Sequence, residues 1–280
     1  MIWVEIDNSG KLMLFQQDIS PTVYLDHWAL RKISEIKTLS TRFVDAMQRR
    51  KGTLAISWLN FVEFIKVKDK EQTHKAELFI EANLPHIFFM DVQFFRVISR
   101  EDAAYSSGLS DACHSDADLC RAFAHLESKT LKQFTASDML SALWNDRLVS
   151  SYDSMADAIV NGIETVRDER NKKPEIKILL DRLPSGPLIQ RGTRYILREL
   201  VRTLLIDSKI KVNRNHAVDL MHAVVPCAYC DLLLLDKHWA AQIGRVFSRL
   251  KKAGMTFPVG KVFSEKDNGF NRLLTALADW

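Results

Sequence analysis

Four consecutive leucines, Leu232–Leu235, lie between Asp231 and Asp236 near the C-terminal end of the chain. An apolar run of this length without polar residues is typical of a strand that is buried on both faces of a sheet. A carboxylate at the end of such a strand loses hydration, and this costs free energy unless a neighbouring group compensates it. The groups near these aspartates must therefore compensate their charge, and identifying them helps to predict both the fold and the function.

Further short apolar runs alternate with segments of helical periodicity. The runs TVYLD at 22–26, GTLAIS at 52–57 and FFRVIS at 94–99 predict three strands upstream of the leucine run. Strands that alternate with helices are typical of an α/β sandwich with a largely parallel sheet. We therefore predict this fold class for the chain.

Two segments lie outside this alternation. Residues 2–15 contain two apolar stretches around an Asp-Asn-Ser-Gly turn, which predicts an N-terminal β-hairpin within residues 1–18. Residues from about 101 to 185 have a helical pattern with few turn residues, and the sequence LPSGPL at 183–188 ends this helical block. The chain thus adds a hairpin and a block of helices to the predicted sheet.

Composition limits the classes of partner. The 39 basic and 35 acidic side chains give a net charge of +4, which permits a nucleic-acid partner without requiring one. No segment approaches the roughly 20 apolar residues of a membrane span, and the first residues lack the pattern of a signal peptide. Cys227 and Cys230 have the spacing of zinc ligands, but no second pair of similar spacing completes such a site. We expect a cytoplasmic protein with free thiols and no membrane partner.

Carboxylates recur where the predicted strands end. Asp26 and Asp236 each follow a four-residue apolar run directly, so both are expected at the carboxyl edge of the sheet, where open α/β sheets place their sites. Glu63 lies within two helical turns of Ser57, the predicted N-cap, and Asp219 lies early in the helix before the leucine run. Four carboxylates from distant parts of the chain would then share one edge. Asp231 precedes its strand, so it is predicted to be a turn residue at the opposite edge.

A cluster of four carboxylates points to cation chemistry. Such a cluster repels itself unless divalent cations bind among the oxygens. Bound Mg²⁺ or Mn²⁺ activates water and stabilises the charge that develops during phosphodiester hydrolysis. The alternative is structural, since an aspartate after a strand is often a turn former and one at a helix start complements the helix dipole.

The order of the four acids resembles that of the PIN-domain nucleases. The matching segments are VYLDHWAL, SWLNFVEF, NHAVDLMHAVV and LLLLDKHW, and the resemblance covers about residues 20–70 and 187–260. It implies a single PIN-like domain over 1–280, a three-layer sandwich, in which about residues 101–185 form a helical insertion between the second and third acids. It also implies that the metal-binding and catalytic acids are Asp26, Glu63, Asp219 and Asp236.

Members of that family are metal-dependent ribonucleases, and many are toxins of toxin–antitoxin pairs. The resemblance implies an Mg²⁺- or Mn²⁺-dependent endoribonuclease of a toxin–antitoxin or antiviral defence system, with an RNA substrate and an inhibitory antitoxin protein as partners. The alternatives are a catalytically inactive PIN-like module that binds RNA or protein, and a nuclease directed at DNA; a homodimer is also open. A dehalogenase-type phosphatase would need an acid where Trp28 stands, and the glycine-rich loop of nucleoside triphosphatases does not occur.

One set of arginines follows the Pro-Gly break at steps of three, four and four residues. This spacing places the side chains on one helix face and predicts a phosphate-binding surface. The alternative is a solvated face that is paired with Glu199 and Asp207. The members of this arginine face are Arg191, Arg194, Arg198 and Arg202.

Other candidates are close in sequence to the acids. Arg214, Asn215 and Lys237 are predicted to contact the scissile strand. His27 and His222 are neighbours of the predicted metal ligands and are candidates to contact phosphate or to orient water. The alternative for both histidines is an ordinary structural hydrogen bond.

Overall fold

The computed structural model describes residues 1–6, 8, 12–66, 69–109, 111–125, 146–186, 192–207, 210–266 and 268–280. The strands in these ranges are β1 (Ile2–Ile6), β2 (Leu12–Gln16), β3 (Thr22–Leu25), β4 (Thr53–Ile56), β5 (Ile87–Phe89), β6 (Leu232–Leu234) and β7 (Lys261–Phe263). The first six helices are α1 (His27–Glu35), α2 (Lys37–Arg50), α3 (Trp58–Lys66), α4 (Lys70–Ala82), α5 (Phe94–Ser106) and α6 (Ala117–His125). The other six are α7 (Asp146–Lys172), α8 (Pro174–Asp181), α9 (Thr193–Ile206), α10 (Arg214–Tyr229), α11 (Lys237–Lys252) and α12 (Gly269–Ala278).

Five strands form one parallel sheet in the order β5-β4-β3-β6-β7. All residues of β3, β4, β5 and β6 are buried, although neighbouring residues of a strand point to opposite faces. Helices must therefore cover both faces of the sheet. The predicted α/β class with a parallel central sheet is confirmed, and the leucine run forms β6 as expected.

The N-terminal hairpin is also confirmed. Strands β1 and β2 pair antiparallel, with Ile2 opposite Gln16, and the rings of Trp3 and Phe15 stack at 5.7 Å. The Gln16 side chain accepts from the N–H of Phe89 at 2.8 Å and donates to its carbonyl at 3.1 Å. These bonds attach the hairpin to β5, the edge strand of the main sheet.

The prediction of a strand at 94–99 is wrong, because this segment forms the beginning of helix α5. Phe94 and Val97 are buried while Phe95 is 68% exposed, which is the three-residue periodicity of a helix that packs one face. The third strand of the parallel sheet in sequence order is instead β5, which pairs with β4 through Leu54 and Ile87. Only three residues long, it offers too short an apolar pattern to stand out in the sequence.

Most described residues of the predicted helical block are also helical: they are the last six residues of α5 and all of α6, α7 and α8, while residues 126–145 lie outside the described ranges. Helix α9, which carries Arg194, Arg198 and Arg202, begins at Thr193. Asn213 caps α10 by accepting from the His216 N–H at 3.1 Å, and Gly254 follows α11 with a φ of +71°. None of the described helices is long and apolar enough to cross a membrane.

Candidate functional site

Asp26 and Asp236 lie together at the carboxyl edge of the sheet, as the sequence predicted. Strands β3 and β6 are neighbours, and Leu25 pairs with Leu234 just before the two acids. The Asp26 N–H donates to the Leu234 carbonyl at 3.2 Å, and the Asp236 N–H donates to Asp26 Oδ2 at 2.9 Å. A direct hydrogen bond therefore joins two acids that are 210 residues apart.

Each of these acids also caps the helix that follows it. Asp26 Oδ1 accepts from the Ala29 N–H at 2.7 Å at the start of α1. Asp236 Oδ1 accepts from the Trp239 N–H at 3.0 Å at the start of α11. The strand-acid-helix pattern in the sequence thus fixes both carboxylates by local capping.

The charged form of Asp26 is destabilised at this position. The residue is 8% exposed, and burial raises its pKa to about 7, with a further contribution from the charge of Asp236. The hydrogen bonds from Ala29 and Asp236 and the charge of His222 act in the opposite direction without cancelling the effect of burial. The ionised form of Asp26 therefore lacks full compensation from the protein.

Trp239 links Asp219 to the pair formed by Asp26 and Asp236. Asp219 lies in the second turn of α10, and the buried indole Nε1 of Trp239 donates to Asp219 Oδ2 at 2.9 Å. Burial raises the pKa of Asp219 to about 6, and repulsion from Asp236 and Glu63 adds to the effect of burial. Trp239 therefore holds Asp236 with its backbone N–H and Asp219 with its indole N–H.

Glu63 is held by a buried histidine. His222 Nε2 donates to Glu63 Oε2 at 2.8 Å, and His222 Nδ1 shares a hydrogen bond of 2.5 Å with the hydroxyl of Tyr24 in β3. Burial opposes protonation of His222, but the carboxylates, Glu63 foremost, outweigh it and raise its pKa. His27 Nδ1 lies 4.0 Å from Glu63 Oε2, and burial lowers the pKa of His27. Both predicted histidines therefore lie beside Glu63.

The start of α3 differs from the prediction in one detail. Ser57 precedes the helix as expected, but both its N–H and its hydroxyl donate to Asn60 Oδ1, at 2.9 and 3.0 Å. Asn60 in turn donates to the Leu25 carbonyl at 3.2 Å. The side chain of Asn60 thus closes the first turn and ties α3, with Glu63, to the end of β3.

The donor set has the chemistry of a site for a hard cation. One oxygen of each of Glu63, Asp219 and Asp236 has no hydrogen-bond partner within the described ranges. Carboxylate oxygens are the ligands that Mg²⁺ and Mn²⁺ prefer. Among the described residues, however, no three acidic, histidine or cysteine side chains lie close enough to hold one ion as they stand. Cation binding would therefore have to draw these carboxylates together.

The described members of the arginine face have partners within the protein. Arg194 forms an ion pair with Asp102, and Arg198 donates to the Arg182 carbonyl at 3.4 Å. Arg202, which is 14% exposed, donates to a carbonyl of α8 and lies 3.7 Å from the buried Glu199. These contacts favour the structural alternative for the arginine face; Arg191 lies outside the described residues.

Of the three other predicted substrate contacts, one is engaged within the protein and two are exposed. Arg214 donates twice to Asp157 of α7, at 2.5 and 2.6 Å, so its guanidinium is engaged within the protein. Asn215 and Lys237 are exposed, and Lys237 directly follows Asp236 at the start of α11. Lys237 is therefore the predicted basic residue that lies nearest to the acids in the chain.

Three residues at the site were not predicted: Tyr24, Tyr152 and Trp239. Tyr152 belongs to α7, and burial together with the charges of Glu63 and Asp219 raises its pKa, so the helical block reaches the site. Trp239 is three residues after Asp236, the position at which an N-cap carboxylate bonds the helix backbone, so its backbone contact could be predicted. Its indole contact with Asp219 depends on the packing of two helices and has no signal in the sequence.

Comparisons of the chain with protein-family models, with curated proteins and with solved structures find no match. The geometry of the site and the order of its acids therefore carry the functional argument.

Proposed function

We propose that the chain is a PIN-like nuclease that hydrolyses RNA phosphodiester bonds with Mg²⁺ or Mn²⁺. The observation that carries this proposal is the hydrogen bond from the Asp236 N–H to Asp26 Oδ2 at the shared edge of β3 and β6. Trp239 brings Asp219 to this pair, and Glu63 lies close by, since its charge contributes to the raised pKa of Asp219 and it accepts from His222 of the same helix. The order of the acids along the chain supports the same assignment.

The electrostatics of the site support a role for a divalent cation. The pKa of Asp26 is raised to about 7 and that of Asp219 to about 6, in both cases mainly by burial. Neither carboxylate is therefore well stabilised in its charged form by the protein alone. A bound divalent cation supplies that stabilisation, and for the reaction it supplies water activation and neutralisation of charge on the phosphate.

The protein's own groups then have distinct roles. Glu63, Asp219 and Asp236 would hold the cation through the oxygen of each that has no hydrogen-bond partner in the described ranges, and Asp26 through the remaining lone pairs of oxygens that each accept one N–H. Trp239 fixes the position of Asp219 and Asp236, and His222 with Tyr24 orients Glu63. Lys237 and Asn215 are exposed and are available to bind phosphates of the substrate. The choice of RNA as substrate, the toxin or defence role and the antitoxin partner are proposed from the PIN-like order of the acids.

The test is cleavage of a labelled single-stranded RNA by the purified chain. We expect cleavage with Mg²⁺ or Mn²⁺ and none in excess EDTA, because water activation needs a cation that the acids hold. Restoration of cleavage when Mn²⁺ is added beyond the EDTA concentration is the control for irreversible damage. Cleavage that persists in EDTA would contradict the proposal.

Two further outcomes would identify the alternatives. Metal-dependent cleavage of DNA but not of RNA with the same sequence would assign the site to a DNA nuclease. Saturable RNA binding without cleavage in either metal would identify an inactive RNA-binding module.

A further inference from the structure

A cavity of about 700 Å³ lies between helices α5, α7, α9 and α10. Its lining is almost wholly apolar and includes Phe94, Ile159, Leu197 and Met221. The four acids of the proposed nuclease site do not line it. Its volume falls within the range of roughly 300 to 1,000 Å³ that is typical of small-molecule pockets. The cavity is thus a candidate ligand site separate from the acids.

Helix α7 leaves this space open at Gly162. A Cβ atom added at Gly162 would meet nothing within 4 Å, so no neighbouring group requires a glycine here. Glycine in a helix interior is unfavourable relative to residues with side chains. The space is open to solvent, since Gly162 and Phe95 in its lining are exposed, and apolar surface in contact with water is unfavourable. A bound apolar group would remove this apolar surface from water.

Two arginines of α9 supply the charge at the cavity. Arg194 forms an ion pair with Asp102, whereas no described carboxylate lies within ion-pair distance of Arg198. Arg198 is half-buried, and its hydrogen bond to the Arg182 carbonyl is long, at 3.4 Å. It lies near Arg202, on whose pKa burial and the charge of Arg249 have the largest lowering effects, Arg198 has a smaller one, and Glu199 and Asp181 act in the opposite direction. An anion at Arg198 would form charge-assisted hydrogen bonds with its guanidinium.

We propose that this cavity binds a soluble carboxylate with a single acyl chain. The acyl chain occupies the apolar space beside Gly162, and the carboxylate pairs with Arg198. Such a ligand matches both the apolar lining and the one cation there that lacks a carboxylate partner among the described residues. Leu220 and Met221, which line the cavity, lie between Asp219 and His222 in α10, so the ligand would touch the helix that carries two residues of the proposed nuclease site.

The test is calorimetric titration of the full chain with dodecanoate below its micelle concentration. We expect saturable binding to the wild type and, for Gly162→Leu, at least about tenfold weaker binding, because a leucine side chain would fill the space. Gly244→Leu is the matched control: it is also a helix glycine whose added Cβ meets nothing within 4 Å, and it lies in α11 outside the cavity. Its affinity for dodecanoate should be unchanged.

The role of the charge is tested with Arg198→Gln and a neutral ligand of equal chain length. Loss of hydrogen bonds to a charged group should weaken dodecanoate binding by about tenfold or more, while dodecanol binding should be unchanged. The proposal would be overturned if the wild type did not bind dodecanoate, or if Gly162→Leu and the wild type bound it with equal affinity. So would a dimeric wild type that Gly162→Leu converts to a monomer, since a second copy would then occupy the cavity.

Discussion

Asp236→Asn should reduce metal-dependent RNA cleavage by about a hundred- to a thousandfold, because it removes charge that stabilises the transition state through the cation. Asparagine keeps the shape of the side chain, and its oxygen can still accept from the Trp239 N–H, so the cap of α11 is retained. The substitution also removes a charge that raises the pKa of both Asp26 and Asp219. The midpoint of thermal unfolding without divalent cations should therefore be equal or higher.

The matched control is Asp231→Asn at the other end of the same strand. Asp231 Oδ2 accepts from the Ser20 hydroxyl at 2.6 Å, from the Thr22 N–H at 2.7 Å and from the Thr22 hydroxyl at 3.0 Å, so it is a turn residue at the opposite edge, as predicted. Its substitution should lower stability and leave cleavage by the folded protein intact. If Asp236→Asn cleaves like the wild type, or loses activity only because it unfolds, Asp236 is a structural cap and the proposed site is wrong.

Without divalent cations, the free energy of unfolding should fall as pH rises from about 4 to 8. Asp26 and Asp219 have folded pKa values of about 7 and about 6, above the ordinary value of 3.8. Between these values the folded state binds more protons than the unfolded state, so the stabilising contribution of these groups is complete below the unfolded pKa and is lost as pH rises through the folded pKa. For Asp26, a shift of about three units corresponds to roughly 4 kcal/mol.

Urea denaturation at a series of pH values checks this prediction. The free energy of unfolding of the Asp219→Asn variant should fall less steeply between pH 4 and 6 than that of the wild type, because asparagine does not titrate. The asparagine oxygen can still accept from the Trp239 indole. Millimolar Mg²⁺ should raise the stability of the wild type above pH 7, because the ion binds the charged carboxylates of the folded state. A wild-type stability that rises with pH in EDTA, or that Mg²⁺ leaves unchanged at pH 8, would contradict the electrostatic account of the site.

The sheet edge could be predicted because its determinants are local. In both β3 and β6 an apolar run ends directly at an acid that caps the next helix, so strand, edge and carboxylate are adjacent in sequence. The segment at 94–99 was misassigned because Phe-Phe-Arg-Val-Ile fits a half-buried strand as well as a helix. Strand β5 is only three residues long, and it is defined by its pairing with β4 rather than by a pattern of its own.

The contacts that complete the site could not be predicted, because they join distant segments. The spacing of the arginines fixes which side chains share a face of α9, but not that carbonyls of α8 and the segment after it accept from Arg202 and Arg198. In the same way, the sequence places His222 near Asp219 without indicating its bonds to Glu63 and Tyr24. Each of these contacts depends on tertiary packing.

The central claim is that the acids at the edge of β3 and β6 hold the catalytic cation, and anomalous diffraction from crystals soaked in Mn²⁺ tests it most directly. We predict an anomalous peak within coordination distance of the carboxylates of Asp26, Asp219 and Asp236, and its loss in crystals of Asp236→Asn. Mn²⁺ peaks only at other places, with Asp26 still bonded to the Asp236 N–H and the carboxylates still apart, would contradict the account.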